Sequence, residues 1–110
     1  MKFNTIKMEY EHYKTMLIVS VPDFNATCRI FIYNDAPKTA TITDLYVIES
    51  ARGNNIATQI IEYAIYVAKS DGCDSIELKS EENNWVREWY KRLGFEIISE
   101  EVWMRKDIKQ

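Results

Sequence analysis

The sequence predicts an α/β (α+β) fold in a single domain spanning residues 1–110, with a mixed, mostly antiparallel sheet of about six strands flanked by two main helices. Two observations lead to this prediction. Polarity alternates with a period of two through much of the first half, whereas the second half contains two segments of helical period. A helix between two strands usually joins parallel neighbours, so the sheet is expected to be mixed.

The first half contains four strand-like segments. Polar and apolar residues alternate over residues 6–12 and 28–33, and β-branched residues are frequent over residues 15–21 and 39–48. Turn-forming residues follow at positions 22–23 and 34–37. Four strands joined in this way predict an antiparallel meander.

The second half begins with an amphipathic helix. Its apolar face is predicted to contain Ile56, Ala57, Ile60, Ile61, Ala64, Ile65 and Ala68. Gln59, Glu62, Tyr63, Tyr66 and Lys69 are predicted to lie on the opposite face. Gly72 suits the left-handed conformation that often ends a helix, and residues 76–78 then alternate as a strand.

A second helix is predicted after Asn83 or Asn84, either of which can cap it. Its apolar face consists of Trp85, Val86, Trp89, Tyr90 and Leu93, and the tryptophans are expected to belong to the core. Gly94 should end this helix, with Phe95 packed back onto its last turn. Residues 95–104 are expected to form one last strand, with a bend.

The composition and net charge favour some classes of function and argue against others. With 46% hydrophobic and 28% charged residues, the chain is typical of a globular protein. The net charge of -3, with scattered Lys and Arg, argues against nucleic-acid binding but is compatible with a cationic acceptor such as an amine. The apolar run over residues 16–21 is too short to span a membrane, so a cytoplasmic location is predicted.

Metal and thiol chemistry have little support in the sequence. Cys28 and Cys73 lack neighbouring ligands, which predicts two buried reduced thiols, with a long-range disulfide as the alternative. His12 is the only histidine and is expected to be a surface or strand residue. No metal site is predicted.

A strand, a loop and a helix start follow one another over residues 41–57. The first amides of a helix have no partners within it and attract anions, so a pyrophosphate could bind there. Gly53 would allow close approach of the backbone, and Arg52 could add a charged contact. The spacing is neither that of a P-loop nor that of a dinucleotide fingerprint, and a plain helix cap is the alternative.

Three segments together resemble the GNAT superfamily of N-acetyltransferases: DLYV at 44–47, RGNNIA at 52–57 and NWVREWYKRLGFE at 84–96. The resemblance implies acetyl-CoA as co-substrate, with its pyrophosphate held by Arg52, Gly53, Asn54, Asn55, Ile56 and Ala57. Asn55 stands at the usual middle glycine of the family signature, and Asn readily adopts a positive φ. The backbone of Leu45, Tyr46 and Val47 would hold the pantetheine arm and the thioester carbonyl, and Asn83 would contact the arm or the helix start.

The resemblance also implies catalytic roles. Tyr90 would be the general acid that protonates the leaving thiolate, whereas periodicity alone predicts that it packs with Trp85 and Trp89. Asp44 is the first choice for the general base, and Glu77 and Glu81 are the alternatives.

The implied activity is transfer of the acetyl group of acetyl-CoA to a primary amine of a protein or small molecule. The alternatives are a non-catalytic GNAT-like module for CoA binding or protein interaction, and a small β-rich structural protein. The first forty residues leave no room for the helices that usually form the acceptor side, so that side is expected to be open or completed by another subunit. Three Trp, seven Tyr and four Phe are many for so small a core, and at least a weak homodimer is expected.

Overall fold

A computed structural model describes residues 2–10, 14–21, 26–35, 37–47, 55–80, 84–101 and 103–109. The strands are β1 (Asn4–Tyr10), β2 (Lys14–Val21), β3 (Ala26–Tyr33), β4 (Thr39–Val47), β5 (Ser75–Lys79), β6 (Glu96–Ile97) and β7 (Trp103–Asp107). The helices are α1 (Ile56–Ser70), between β4 and β5, and α2 (Asn84–Arg92), between β5 and β6. Neither described helix has the length and apolar character needed to cross a membrane.

One sheet contains all the described strands, in the order β1-β2-β3-β4-β5-β7-β6. The first four strands pair antiparallel with their sequence neighbours, as predicted for a meander. Strands β4 and β5, which α1 connects, are parallel. The mixed, mostly antiparallel sheet of the prediction is therefore confirmed.

The prediction of a single last strand was wrong. Residues 96–107 form two antiparallel strands, with Glu96 opposite Arg105, so the sheet has seven strands rather than about six. The chain reverses after Ile98, whose amide donates to the carbonyl of Trp103 at 2.8 Å. Ser99, Glu100 and Glu101 lie in the turn, and β7 pairs with both β6 and β5.

The core lies on one face of the sheet. Along β3, buried residues alternate with partly or fully exposed ones, and α1 packs against β3, β4 and β5. Helix α2 lies on the same side, because Lys106, on that face of β7, donates to the carbonyl of Leu93 just after the helix. No described helix covers the opposite face, which we call the open face; it carries Thr27, Arg29, Phe31 and Tyr33 of β3 and Thr41 and Thr43 of β4.

Both cysteines are free and buried, as predicted. Burial raises the pKa of Cys28 to about 12 and is the main reason that the pKa of Cys73 is raised to about 11. Because the thiolate is the reactive form, both side chains are unreactive packing groups at neutral pH.

Each helix ends in a glycine with positive φ. At the end of α2, Gly94 has φ 97°, and the amide of Phe95 donates to the carbonyl of Tyr90 at 3.1 Å. The Phe95 ring meets the Tyr90 ring edge-on at 5.9 Å, so the expected packing of Phe95 onto the last turn is confirmed. Gly72 ends α1 in the same way, with φ 84° and a bond from the amide of Cys73 to the carbonyl of Ala68.

These glycines allow a matched test of the α2 cap. We expect Gly72→Ala to cost about 1–2 kcal/mol of stability, because an L residue is strained at this φ while the space around Gly72 is open. Gly94→Ala should cost about 1 kcal/mol more. Its Cβ would lie 2.7 Å from Lys106 Nζ, which donates to the carbonyl of Leu93 and would have to move. Urea unfolding measures the loss of stability in each variant. Equal losses would show that the contact with Lys106 contributes nothing.

Candidate functional site

A cleft opens where β4 and β5 separate. Their parallel pairing runs only from Thr39↔Ser75 to Ile42↔Leu78, although β4 continues to Val47 along β3. The backbone of the second half of β4 is therefore not paired with β5. The cleft at this gap has a volume of about 760 Å³, within the usual range for small-molecule sites.

A β-bulge at Asp44 marks the point of separation. Asp44 and Leu45 together oppose the single residue Cys28, and Asp44 has φ 53°. Such a bulge bends the strand that carries it. The bend directs residues 45–47 away from β5 and along the cleft.

The first turn of α1 forms one wall of the cleft, which residues 55–58 line. Asn55 precedes the helix with φ 63°, the positive value expected from its residue type, and its side chain makes no capping hydrogen bond. The first turn carries no acidic residue, and the first intrahelical bond runs from the amide of Gln59 to the carbonyl of Asn55. The helix start thus presents backbone amides and a positive dipole end to the cleft.

Helix α2 forms the opposite wall and holds Tyr90 in place. Tyr90 lines the cleft although only 8% of it is exposed, and its ring packs against Trp89, with the centroids 4.8 Å apart. The Phe95 ring also contacts the Tyr90 ring, edge-on, and the Phe95 amide donates to the Tyr90 carbonyl. The tyrosine is consequently both a packing residue and a cleft residue, so the packing alternative and the chemical one are compatible.

A hydrogen bond joins the two walls. Trp89 Nε1 on α2 donates to Thr58 Oγ1 on α1 at 3.0 Å, and both side chains are partly buried. This bond links the end of the first turn of α1 to the residue next to Tyr90.

The model of the acetyltransferase (GNAT) family matches residues 8–95. The chain belongs to the GNAT acetyltransferase family. No protein of curated function matches the sequence significantly.

Solved GNAT structures share the fold. An acetyltransferase from Bacillus subtilis in complex with CoA is 17% identical; the match covers 96% of this chain and 99% of that one, with a TM-score of 0.65. A GNAT family acetyltransferase from Elizabethkingia anophelis with acetyl-CoA bound is 9% identical, with coverages of 96% and 97% and a TM-score of 0.66. One from Staphylococcus aureus is 15% identical, with coverages of 87% and 68% and a TM-score of 0.66.

The cleft of this GNAT protein brings together most of the residues predicted for the site. Eight of them line it: Asp44, Leu45, Tyr46, Val47, Asn55, Ile56, Ala57 and Tyr90. Arg52, Gly53, Asn54 and Asn83 lie outside the described residues. Residues separated by more than 40 positions in the sequence thus converge on one cavity.

The candidate bases differ in their surroundings. Asp44 is exposed at the cleft, and its carboxylate lies 3.6 Å from the Arg29 guanidinium and 3.4 Å from the Thr43 hydroxyl. Glu77 instead accepts two hydrogen bonds from Arg105 on β7, at 2.8 and 2.5 Å, and does not line the cleft. Glu81 lies outside the described residues. Among the described acids, Asp44 is therefore the better placed.

Several lining residues were not predicted. Trp85 was expected in the core, but it is 67% exposed and lines the cleft. Lys79 and Arg92 line it as well and add two positive charges. Trp85, Trp89 and Arg92 are spaced along α2 so as to share one side of the helix, and this spacing was the available signal. Periodicity identified that side as apolar but could not show that it borders a cavity.

Proposed function

We propose that this protein transfers the acetyl group of acetyl-CoA to a primary amine of a protein or small molecule. The main support is the continuous cleft that joins the unpaired half of β4, the start of α1 and Tyr90 of α2. In this proposal the start of α1 would be the anion site, the unpaired backbone of β4 would hold the arm of the cofactor, and Tyr90 would be the proton donor. Family membership supports acetyl-CoA as the donor.

In this proposal the pyrophosphate binds at the start of α1. Residues 55–58 line the cleft, and the Asn55 side chain makes no capping hydrogen bond, so the first amides of the helix would be available to an anion. Arg52 and Gly53 directly precede this point in the sequence and would add a guanidinium and close backbone approach. Lys79 and Arg92 supply further positive charge nearby.

The pantetheine arm would follow the unpaired backbone of Leu45, Tyr46 and Val47, as a further strand would. Amides there can donate to the thioester carbonyl and stabilise the negative charge that develops on its oxygen. Asn83 would contact the arm from the start of α2. This placement brings the thioester to the bulge at Asp44, next to the open face.

The acetyl group would pass directly from acetyl-CoA to the amine. The neutral amine attacks the carbonyl carbon, and the tetrahedral intermediate collapses with cleavage of the C–S bond. Tyr90 gives its phenolic proton to the departing thiolate and regains one from solvent, and Asp44 accepts the ammonium proton, directly or through water. The products are the acetylated amine and CoA.

The acceptor would approach from the open face. Arg29 on this face and Asp44 at the bulge are both exposed, which would let a bulky acceptor approach the cleft as well as a small one. The Asp44 carboxylate at the bulge would attract a cationic amine. The same exposure would also allow a protein surface to present a lysine or an N-terminus.

Two linked measurements test the proposal. Acetyl-CoA at about 100 times its dissociation constant should stabilise the protein by about 2.7 kcal/mol in a thermal unfolding assay, whereas pantetheine, which lacks the pyrophosphate, should stabilise it much less. CoA release with a panel of primary amines then measures turnover. Stabilisation without turnover would favour the non-catalytic CoA-binding alternative, and no stabilisation would contradict both.

A further inference from the structure

The hydrogen bond between the two helical walls of the cleft has a fixed direction. Trp89 Nε1 on α2 donates to Thr58 Oγ1 on α1 at 3.0 Å, and both side chains are partly buried. An indole nitrogen is a donor only, so the threonine oxygen is the acceptor. Partial burial limits competition from water, which strengthens the restraint that this bond places on both side chains.

The two ends of this bond lie beside the two groups that the proposed reaction needs. Thr58 is in the first turn of α1, where the pyrophosphate would bind, and it lines the cleft. Trp89 directly precedes Tyr90, and the centroids of the two rings are 4.8 Å apart. Because an indole is rigid, a bond that holds its nitrogen also restrains the ring face that contacts the tyrosine.

We propose that Trp89 is a positioning residue for acetyl transfer and acts through Tyr90, a role that rests on the function proposed above. In that function the cofactor is bound by α1 and β4, whereas its proton donor is carried by α2. The distance from the Tyr90 hydroxyl to the leaving sulfur therefore depends on how α2 sits relative to α1. The bond from Trp89 to Thr58 holds that separation.

A general acid is sensitive to small displacements. It must lie within hydrogen-bond reach of the atom that it protonates, and a shift of about 1 Å can lower a rate by about 10²-fold. The Phe95 ring restrains Tyr90 from the segment that follows α2. Trp89 adds a second restraint, which ties the same tyrosine to the helix that would hold the pyrophosphate.

Removal of the acceptor tests the bond with little change in shape. Thr58→Val replaces the hydroxyl by a methyl group, and kcat at saturating acetyl-CoA should fall by about 10- to 10²-fold. Thr58→Ser keeps an acceptor oxygen and should stay close to the wild type. Thr39→Val is the matched control, because it removes a hydroxyl that donates to the Pro37 carbonyl outside the cleft, and it should leave kcat unchanged.

Removal of the donor tests the same bond from the other side. Trp89→Phe should lower kcat at least as much as Thr58→Val, since it loses the N–H and part of the ring. The double variant Thr58→Val/Trp89→Phe should be no slower than Trp89→Phe alone, because the bond is already broken. A Trp89→Phe variant that turns over at the wild-type rate would overturn the proposal, and so would a Thr58→Ser variant as slow as Thr58→Val.

A Tyr90→Phe background separates positioning of the acid from a purely structural role. Without the phenolic proton the position of the ring no longer matters, so Thr58→Val/Tyr90→Phe should turn over as fast as Tyr90→Phe alone. A structural role, or a direct contact of Thr58 with the cofactor, would instead lower kcat by the same factor in both backgrounds. That outcome would overturn the proposal.

The measurement is the rate of CoA release with a competent amine, corrected for the folded fraction of each variant from thermal unfolding. If Tyr90→Phe is slow and Thr58→Val is not, the role of Trp89 is wrong and the proposed function stands. If Tyr90→Phe is as fast as the wild type, the acid role of Tyr90 and the positioning role of Trp89 are both wrong. A wild-type chain without turnover would contradict the proposed transfer and, with it, this role.

Discussion

Replacing Tyr90 by Phe is expected to lower turnover by roughly 10²- to 10⁴-fold while acetyl-CoA affinity stays similar. The change removes one oxygen and keeps the ring that packs against Trp89 and Phe95. Stability should therefore fall by no more than about 1.5 kcal/mol, the value of one hydrogen bond. The decisive measurement is the rate of CoA release with a competent amine at saturating acetyl-CoA.

Tyr63 provides the matched control for this experiment. It lies on α1, stacked on Phe3 at 4.1 Å, and its hydroxyl is 3.2 Å from the Thr5 hydroxyl, away from the cleft. Tyr63→Phe removes the same atom and should leave turnover unchanged. Equal rates for Tyr90→Phe and the wild type would remove the acid role from Tyr90 and leave the cofactor site intact.

Asn55→Asp is expected to weaken acetyl-CoA binding by roughly 10- to 10²-fold without harming the fold, because the added charge would repel the pyrophosphate at close range. The substitution is nearly isosteric, and Asp also tolerates the left-handed conformation observed at φ 63°. A negative charge at a helix start interacts favourably with the helix dipole, so stability should rise by about 0.3–1 kcal/mol. Binding and stability are thus expected to change in opposite directions.

Asn55→Gly is the neutral comparison for this variant. It restores the glycine that is usual in the family and relieves any backbone strain at the positive φ, so acetyl-CoA affinity should be kept or improved. Calorimetric titration measures the affinities, and urea unfolding measures the stabilities. If Asp and Gly at position 55 leave the affinity equally unchanged, the pyrophosphate does not bind at the start of α1.

Much of the fold could be predicted because its signals are local. Period-two alternation identified the meander, and the buried residues of α1, Ile56, Ile60, Ile61, Ala64 and Ala68, all lie on the predicted apolar face. Gly94 and Phe95 identified the end of α2 because a left-handed glycine followed by an apolar residue makes the same cap in many helices. The positive φ of Asn55 followed in the same way from the preference of its residue type.

The errors came from long-range contacts. Tyr63 was predicted on the polar face of α1, yet it is half-buried because Phe3, which precedes β1, stacks on it. The segment after Phe95 was taken as one strand because its residues have strand propensity throughout. Its division into β6 and β7 depends on β7 pairing with β5, a contact between positions about 30 residues apart in the sequence.

The sequence by itself determined the order of the elements, the buried faces of most of them, the glycines that end both helices and the family resemblance, because these depend on residue type and on spacing within a few positions. Only the tertiary structure decided that β4 bends at Asp44 and leaves β5, that Trp85 is exposed, and that Asn55 and Tyr90 line one cavity. Hydrophobic periodicity predicts which side of a helix or strand is apolar, but not whether another helix or strand packs against that side. That depends on the relative placement of whole strands and helices, which is set by the sum of their contacts and by no single segment.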